Sequence, residues 1–226
     1  KKINSFKVKD IYKKKNFMIC KDENIYTKNN KFHPSLKKIF IKSFKIHKRI
    51  ALKIKLFEQK YSFGKEDILG VHFRGTDMRY MPNHPMPATK DQIFRKIVFL
   101  RKKYDFKKIF LITEDLNNYK FMKNKFGNQL IDIGNFRSNS SKIFNKSFRR
   151  NHKYMMGEEA LINGYLLSKC KVVVSTQTGI SDFSFFLNNK IKFLKINNGY
   201  NSPKILISII KWEIKNILPE YLGGFK

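Results

Sequence analysis

Ile68-Leu69-Gly70-Val71-His72-Phe73-Arg74 decides how this chain is read. It is a short apolar run that ends in two basic side chains, and it is the pattern of a strand buried on both faces. Downstream, apolar runs alternate with helical periodicity. Thr89 caps a helix that runs to about Tyr104, and Lys108 to Thr113 is a second strand. Leu116 to Phe126 is a helix closed by Gly127, and Gln129 to Ile133 is a short strand. Residues 134–156 read as a polar loop rich in Asn, Ser and Arg, in which Arg137, Arg149 and Arg150 are placed to close over a phosphate. Gly157 to Cys170 is a helix, followed by a strand at Lys171–Ser175, a helix at Ile180–Leu187, a strand at Ile191–Ile196 and a closing helix at Pro203–Ile217. Strands separated by helices imply βαβ units. The expected fold is therefore α/β: a Rossmann-like parallel sheet with helices on both faces.

Upstream of residue 66 the pattern differs. Residues 1–32 are polar, rich in Lys and Asn, and weakly patterned. From Leu36 to Phe57, apolar residues recur near helical spacing behind Pro34, which predicts one long amphipathic helix with a lysine-coated outer face. The expected division is 1–65 as lead-in and long helix, the edge of a preceding domain, and 66–226 as a Rossmann-like domain. The chain begins Lys1-Lys2 rather than with Met, which leaves room for a missing leader or N-terminal portion.

With 226 residues, 42% hydrophobic and 15% aromatic, the chain can bury a real core and is not disordered as a whole. Cys20 and Cys170 have no CxxC partner, which argues against structural zinc and a disulfide scaffold. No apolar run reaches the roughly 20 residues of a membrane span. Lys and Arg number 48 against 17 Asp and Glu, a net charge of +31. Such an excess suits nucleic acid, anionic lipid or acidic substrates. It is spread along the whole chain, however, and is nearly all Lys. Lys, Asn, Ile and Phe, all abundant here, have AT-rich codons, so genome composition accounts for the excess better than a dedicated polyanion surface does. Nucleic-acid binding remains the rival reading, with Lys13-Lys14-Lys15 and Arg149-Arg150 as contributors.

In open α/β sheets, ligands gather beyond the carboxyl ends of the strands. Three such ends are chemically loaded. In His72-Phe73-Arg74-Gly75-Thr76-Asp77, His72 and Arg74 alternate with apolar residues and share a face. Arg74 offers a planar fork of donors suited to a diphosphate, and Gly75 allows close backbone approach. Asp77 either locks Arg74 or accepts from a sugar hydroxyl. Thr113-Glu114-Asp115 can read a nucleobase edge or ribose, or simply cap the next helix. Ser175-Thr176-Gln177-Thr178-Gly179-Ile180-Ser181 sets hydroxyls and helix N-terminal amides together as an anion site. No HExxH, GxSxG, GxGxxG, Walker A loop or DxD metal pair is present.

Val71-His72-Phe73-Arg74-Gly75-Thr76-Asp77 resembles the HxRxTD signature of the fucosyltransferase superfamily, which includes α1,6-fucosyltransferases and protein O-fucosyltransferases. The order of Thr113-Glu114-Asp115, then Leu166-Leu167-Ser168-Lys169-Cys170, then the Ser/Thr-rich turn at 175–181 is similar too. His84-Pro85, with Pro87 and Thr89, resembles bacterial members. The match covers about residues 66–190. Gly75 replaces the second Arg of core-type enzymes and Met78 replaces a Lys, which leaves acceptor and linkage open.

The resemblance implies the donor-binding half of a GT-B glycosyltransferase, with 66–226 as the nucleotide-sugar-binding domain and 1–65 as the remnant of an N-terminal acceptor domain. It would move a sugar, fucose foremost, from a GDP-sugar to an oligosaccharide or glycoconjugate acceptor, with no metal and no cofactor. It implies His72 at guanine or ribose, Arg74 at the β-phosphate, Glu114 or Asp115 at the guanine edge, and Thr176 and Thr178 at the phosphates. Gly75, Thr76, Gly179 and Ser181 complete the expected donor site, and Arg74 and Asp77 are the expected catalytic residues. The expected location is cytoplasmic, with peripheral contact to an anionic membrane. An inactive sugar-nucleotide-binding fragment is a further alternative.

Overall fold

A computed structural model describes residues 34–75, 78–176 and 178–226. The chain divides into two compact units, residues 1–45 and 46–226. In the first, helix α1 covers Pro34–Ser43. The second holds the sheet and begins at Ile46, so the next helix, α2 (Lys48–Tyr61), folds together with the sheet.

The single helix expected from Leu36 to Phe57 is thus two, with residues 44–47 outside either. His47 leaves helical geometry at φ −56°, ψ 135°, and its ring Nδ1 accepts from the Arg49 N–H as the N-cap of α2. A cap made by an imidazole is easily missed among lysines. Helix α2 turns Ile50 and Ile54 inward and ends at Ser62, which takes the left-handed conformation at φ 60°.

Among the described residues, five strands form one wholly parallel sheet: β1 (Ile68–His72), β2 (Lys108–Ile112), β3 (Leu130–Ile131), β4 (Val172–Ser175) and β5 (Lys192–Lys195), in the order β3-β2-β1-β4-β5. The reversal of strand order at β1 and β4 makes their carboxyl ends the switch point where a crevice opens. Helices α3 (Lys90–Tyr104), α4 (Leu116–Phe126), α5 (His152–Leu167), α6 (Gly179–Leu187) and α7 (Ile205–Ile217) complete the chain.

Strand β1 is buried along its whole length because both faces are covered. On one side Leu69, Val71 and Phe73 pack with Ile93, Ile97 and Leu100 of α3 and with Met122 and Phe126 of α4. On the other, Ile68, Phe110 and Val173 meet Ile50 and Ile54 of α2 and Ile162, Leu166 and Leu167 of α5. Gly70 faces this second layer, and a Cβ there would come within 2.6 Å of Leu167 Cδ1. Cys170 is buried in the same layer, which pushes its thiol well above the usual value, as befits packing rather than nucleophilic chemistry. The edge strand β5 has exposed Lys192 and Lys195 at its ends, a charge pattern that discourages edge-to-edge pairing.

Three further differences from the sequence reading have local causes. Helix α5 starts at His152 rather than Gly157, behind Asn151 at φ 54° with no side-chain capping bond. No capping signature therefore marked its start. The strand expected at Gln129–Ile133 shrinks to two residues, because Gly127 to Gln129 wind into a 3₁₀ turn first. The stretch before α5 is not a purely polar loop either. Ile143 is fully buried, and Phe136, Phe148 and His152 form a ring cluster with centroids 5.0–5.8 Å apart.

Candidate functional site

The sheet register sets the site. His72 lies beside Ile112 on one side and Ser175 on the other. The residues that follow the three central strands, 73–75, 113–115, 176 and 178–179, therefore lie side by side at one end. The loop before α5 adds a fourth, since the Ser138 N–H donates to the Glu114 carbonyl and the Leu116 N–H donates to the Ser138 carbonyl.

Arg74 is held from two sides. Its Nε lies 3.3 Å from Glu114 Oε1, and its Cζ sits 4.9 Å from the centroid of the Phe144 ring. The same Glu114 oxygen accepts from the Gly75 N–H at 2.9 Å. Glu114 is thus buried between a guanidinium and a backbone amide, which fixes the strand-end arginine in one orientation.

Asp115 does what capping chemistry allows: it is the N-cap of α4, with Oδ1 accepting from the Asn118 N–H at 3.0 Å. Gly75 presses against this cap. A Cβ on Gly75 would lie 2.7 Å from Asn118 Nδ2 and 2.8 Å from Asp115 Oδ2. The close approach that requires glycine here is therefore to the protein's own helix.

Thr178 is the N-cap of α6 and makes a capping box with Ser181. Its hydroxyl also shares a 2.8 Å hydrogen bond with His72 Nδ1, which ties the end of β1 to the start of α6. His72 is fully buried. Burial, and secondarily the nearby Arg74 charge, pull its pKa down to about 3, so the ring is neutral at physiological pH.

Beyond these residues opens a cleft of about 820 Å³, lined in part by Arg74, Phe144, Thr178, Gly179 and Asp182. Its far wall is apolar and aromatic: Met78, Tyr80, Pro82, Pro85 and Tyr200, with His84 among them. A smaller pocket behind it is lined by His72, Arg74, Thr113, Glu114, Phe144 and Asn163.

Of the expected site residues, His72, Arg74, Glu114, Thr178 and Gly179 lie on these two cavities. Asp115 and Ser181 line neither, and Gly75 instead lines a third pocket of about 230 Å³ with Phe73, Thr89 and Asn118. Thr176 is buried and lines neither, and its Oγ1 has no hydrogen-bond partner among the described residues. Thr76 and Asp77 lie outside the described residues.

Arg137 and Arg149, expected to close over a phosphate, are instead engaged with protein carboxylates. Arg137 makes a fork on Asp132 at 2.7 and 3.3 Å and stacks 3.9 Å over Tyr119. Burial raises the Asp132 pKa, but Arg137 and the Gly134 N–H outweigh it and hold the carboxyl below its usual value. Arg149 pairs with Glu159 at 2.7 Å. Phe144 is the site residue that sequence reading missed. The signal was the series Phe136, Phe144, Phe148 inside a stretch dominated by polar residues.

Among the described residues, no three His, Cys, Asp or Glu side chains gather as a metal site would require. No protein-family model matches the chain, and no curated protein does.

Solved structures share the fold. The chain aligns with the fucosyltransferase NodZ from Bradyrhizobium at a TM-score of 0.52 and 16% identity, covering 76% of this chain and 53% of that one. It aligns with NodZ alpha-1,6-fucosyltransferase co-crystallized with GDP at a TM-score of 0.51 and 17% identity, with the same coverage. The protein is thus a Rossmann-like α/β protein that shares its fold with part of these structures. The chain spans about half the length of the structures it matches.

Proposed function

We propose that this chain binds a GDP-sugar, fucose foremost, and transfers the sugar to a hydroxyl of an oligosaccharide or glycoconjugate acceptor. The observation that carries the reading is one wall of the large cleft. It joins Arg74, clamped by Glu114 and Phe144, to the α6 N-terminus at Thr178 and Gly179. The first amides of a helix have no partner within it, and they carry the positive end of its dipole. A fixed guanidinium beside such amides suits a diphosphate. Guanine as the base, and fucose as the sugar, rest on the motif resemblance and on the GDP bound to the structural neighbour.

In the transfer, an acceptor oxygen bonds to the anomeric carbon while the bond from that carbon to the β-phosphate oxygen breaks. The electron pair leaves with the diphosphate, and the acceptor proton passes to a base. Arg74 and the α6 amides are in place before charge develops, which is the arrangement that lowers such a barrier. They supply positive charge where a metal would, so the proposed reaction is metal-independent. Asp77, three residues on in sequence, is proposed to serve Arg74 or the acceptor proton.

The test is a melting series with GDP, GDP-fucose and UDP, each with and without EDTA. GDP at about 100 times its dissociation constant adds about 2.7 kcal/mol of stability, and the shift survives EDTA. Equal stabilisation by UDP removes guanine from the reading. No shift with any nucleotide removes the reading itself. Binding without sugar transfer, in a chain that carries an acceptor domain, identifies an inactive sugar-nucleotide-binding protein.

A further inference from the structure

Helix α7 is built the wrong way round for a helix resting on a core. Only Ser208 and Trp212 are buried, while Leu206, Ile210, Ile214 and Ile217 stand between 51% and 75% exposed. Ile207, Ile210, Ile214, Leu218 and Leu222 form an apolar groove of about 490 Å³ along the outer side. Among the described residues, eight of the nineteen exposed large hydrophobic residues fall within Ile205 to Leu222, so the patch is concentrated rather than scattered. A contiguous apolar surface of this kind marks an interaction site.

Charge chooses the occupant. The net charge of +31 opposes a second copy of the same chain and favours an anionic surface. Lys211 and Lys215 line the groove. Their amines are held beside it by the Tyr200 and Gly223 carbonyls, at 2.9 and 2.6 Å. Tyr221, 85% exposed, adds an aromatic ring of the kind enriched at membrane–water interfaces. Isoleucines flanked by lysines, with an aromatic beside them, are the pattern of a helix lying in the plane of an anionic lipid interface. At 13 residues α7 is too short to cross a bilayer, and among the described residues no helix is long and apolar enough to do so. The N-terminal end of α7 lies beside the large cleft, which Ile205 and Tyr200 both line.

We propose that α7 seats the protein on an anionic membrane surface through its isoleucine face. The test is co-sedimentation of the full chain with vesicles of three parts phosphatidylcholine to one part phosphatidylglycerol, against pure phosphatidylcholine, at physiological salt. The variant is Ile210→Gln with Ile214→Gln, which keeps the charge and the helix propensity. Wild type binds the anionic vesicles, and the double variant binds them about tenfold or more weakly. Circular dichroism checks that the variant is folded. Leu206→Gln, at the most exposed of these positions, gives a smaller loss in the same direction and serves if the double variant unfolds. Undiminished binding of the folded variant shows that charge alone attracts lipid and overturns the proposal. So does failure of wild type to bind anionic vesicles. A dimer in vesicle-free sedimentation that the variant dissolves, without vesicle binding, assigns the face to a second copy and overturns it too.

Discussion

Helices α4 and α6 begin in matching places, each just beyond the carboxyl end of a central parallel strand, yet their N-termini are treated differently. The first is capped by Asp115, a buried carboxylate, with Gly75 packed against Asp115 and Asn118. The second is capped by Thr178, a neutral hydroxyl that also holds His72, and it opens onto the large cleft. An acid at the cap offsets the helix dipole from within, whereas a hydroxyl leaves it available to an outside anion. In the proposed reading, the diphosphate lies on the α6 side of the cleft, where the helix end is left open.

The strongest way to break this comparison is Arg74→Lys, which keeps a charge beside the α6 terminus but removes the planar fork. Sugar transfer should fall by about 10²–10³, the cost of losing one preorganised donor, while the melting temperature stays near that of wild type. Near-normal turnover would take Arg74 out of the transfer step.

Gly75→Ala tests the closed side. A Cβ at 2.7–2.8 Å from Asn118 and Asp115 must displace the α4 cap, so we expect a loss of about 1–3 kcal/mol in urea unfolding. An unchanged midpoint would show that the cap moves aside freely.

His72 tests the link to the open side through pH. Its folded pKa, about 3, lies below the ordinary histidine value of about 6.5. Between those values the unfolded chain takes up a proton that the folded one refuses. The contribution of His72 is therefore complete above about pH 6.5 and is lost as pH falls towards 3, with a slope of up to about 1.4 kcal/mol per pH unit. Denaturant midpoints at pH 7 and pH 5 should differ accordingly, and His72→Gln should flatten the difference.

The smallest effects separate the two caps. Asp115→Ala and Thr178→Ala should each cost about 1 kcal/mol of stability. Only Thr178→Ala should also weaken GDP binding in titration calorimetry. Equal losses of GDP affinity in both would erase the distinction drawn between the two helix ends.

Much of the sheet was readable in advance because β1, β2 and β4 are continuous apolar runs, and a strand buried on both faces has no other pattern to show. Helix α3 announced itself through Thr89 as its cap, and the structure completes a capping box there with Gln92. Helix α5 did not, because Asn151 begins it by backbone conformation alone. The strand-end residues Arg74, Glu114 and Thr178 were legible from their place after apolar runs. Their partners were less so. Phe144 and Tyr200 reach the cleft from loops distant in sequence, and no local pattern predicts that kind of convergence. The engagement of Arg137 with Asp132 was hidden for a different reason: a carboxylate five residues earlier belonged to what read as a strand end.

The protein carries a single tryptophan, and it lies in α7. Trp212 is buried against Phe225, with ring centroids 5.0 Å apart, and Arg79 lies 5.5 Å from its ring. Intrinsic emission therefore watches one helix, while far-ultraviolet ellipticity watches the whole backbone. Detaching α7 would move Trp212 into water and shift its emission to the red, even with the parallel sheet intact. If the two optical signals melt at different temperatures, the C-terminal helix is a separate cooperative unit. If they coincide, it is welded to the rest.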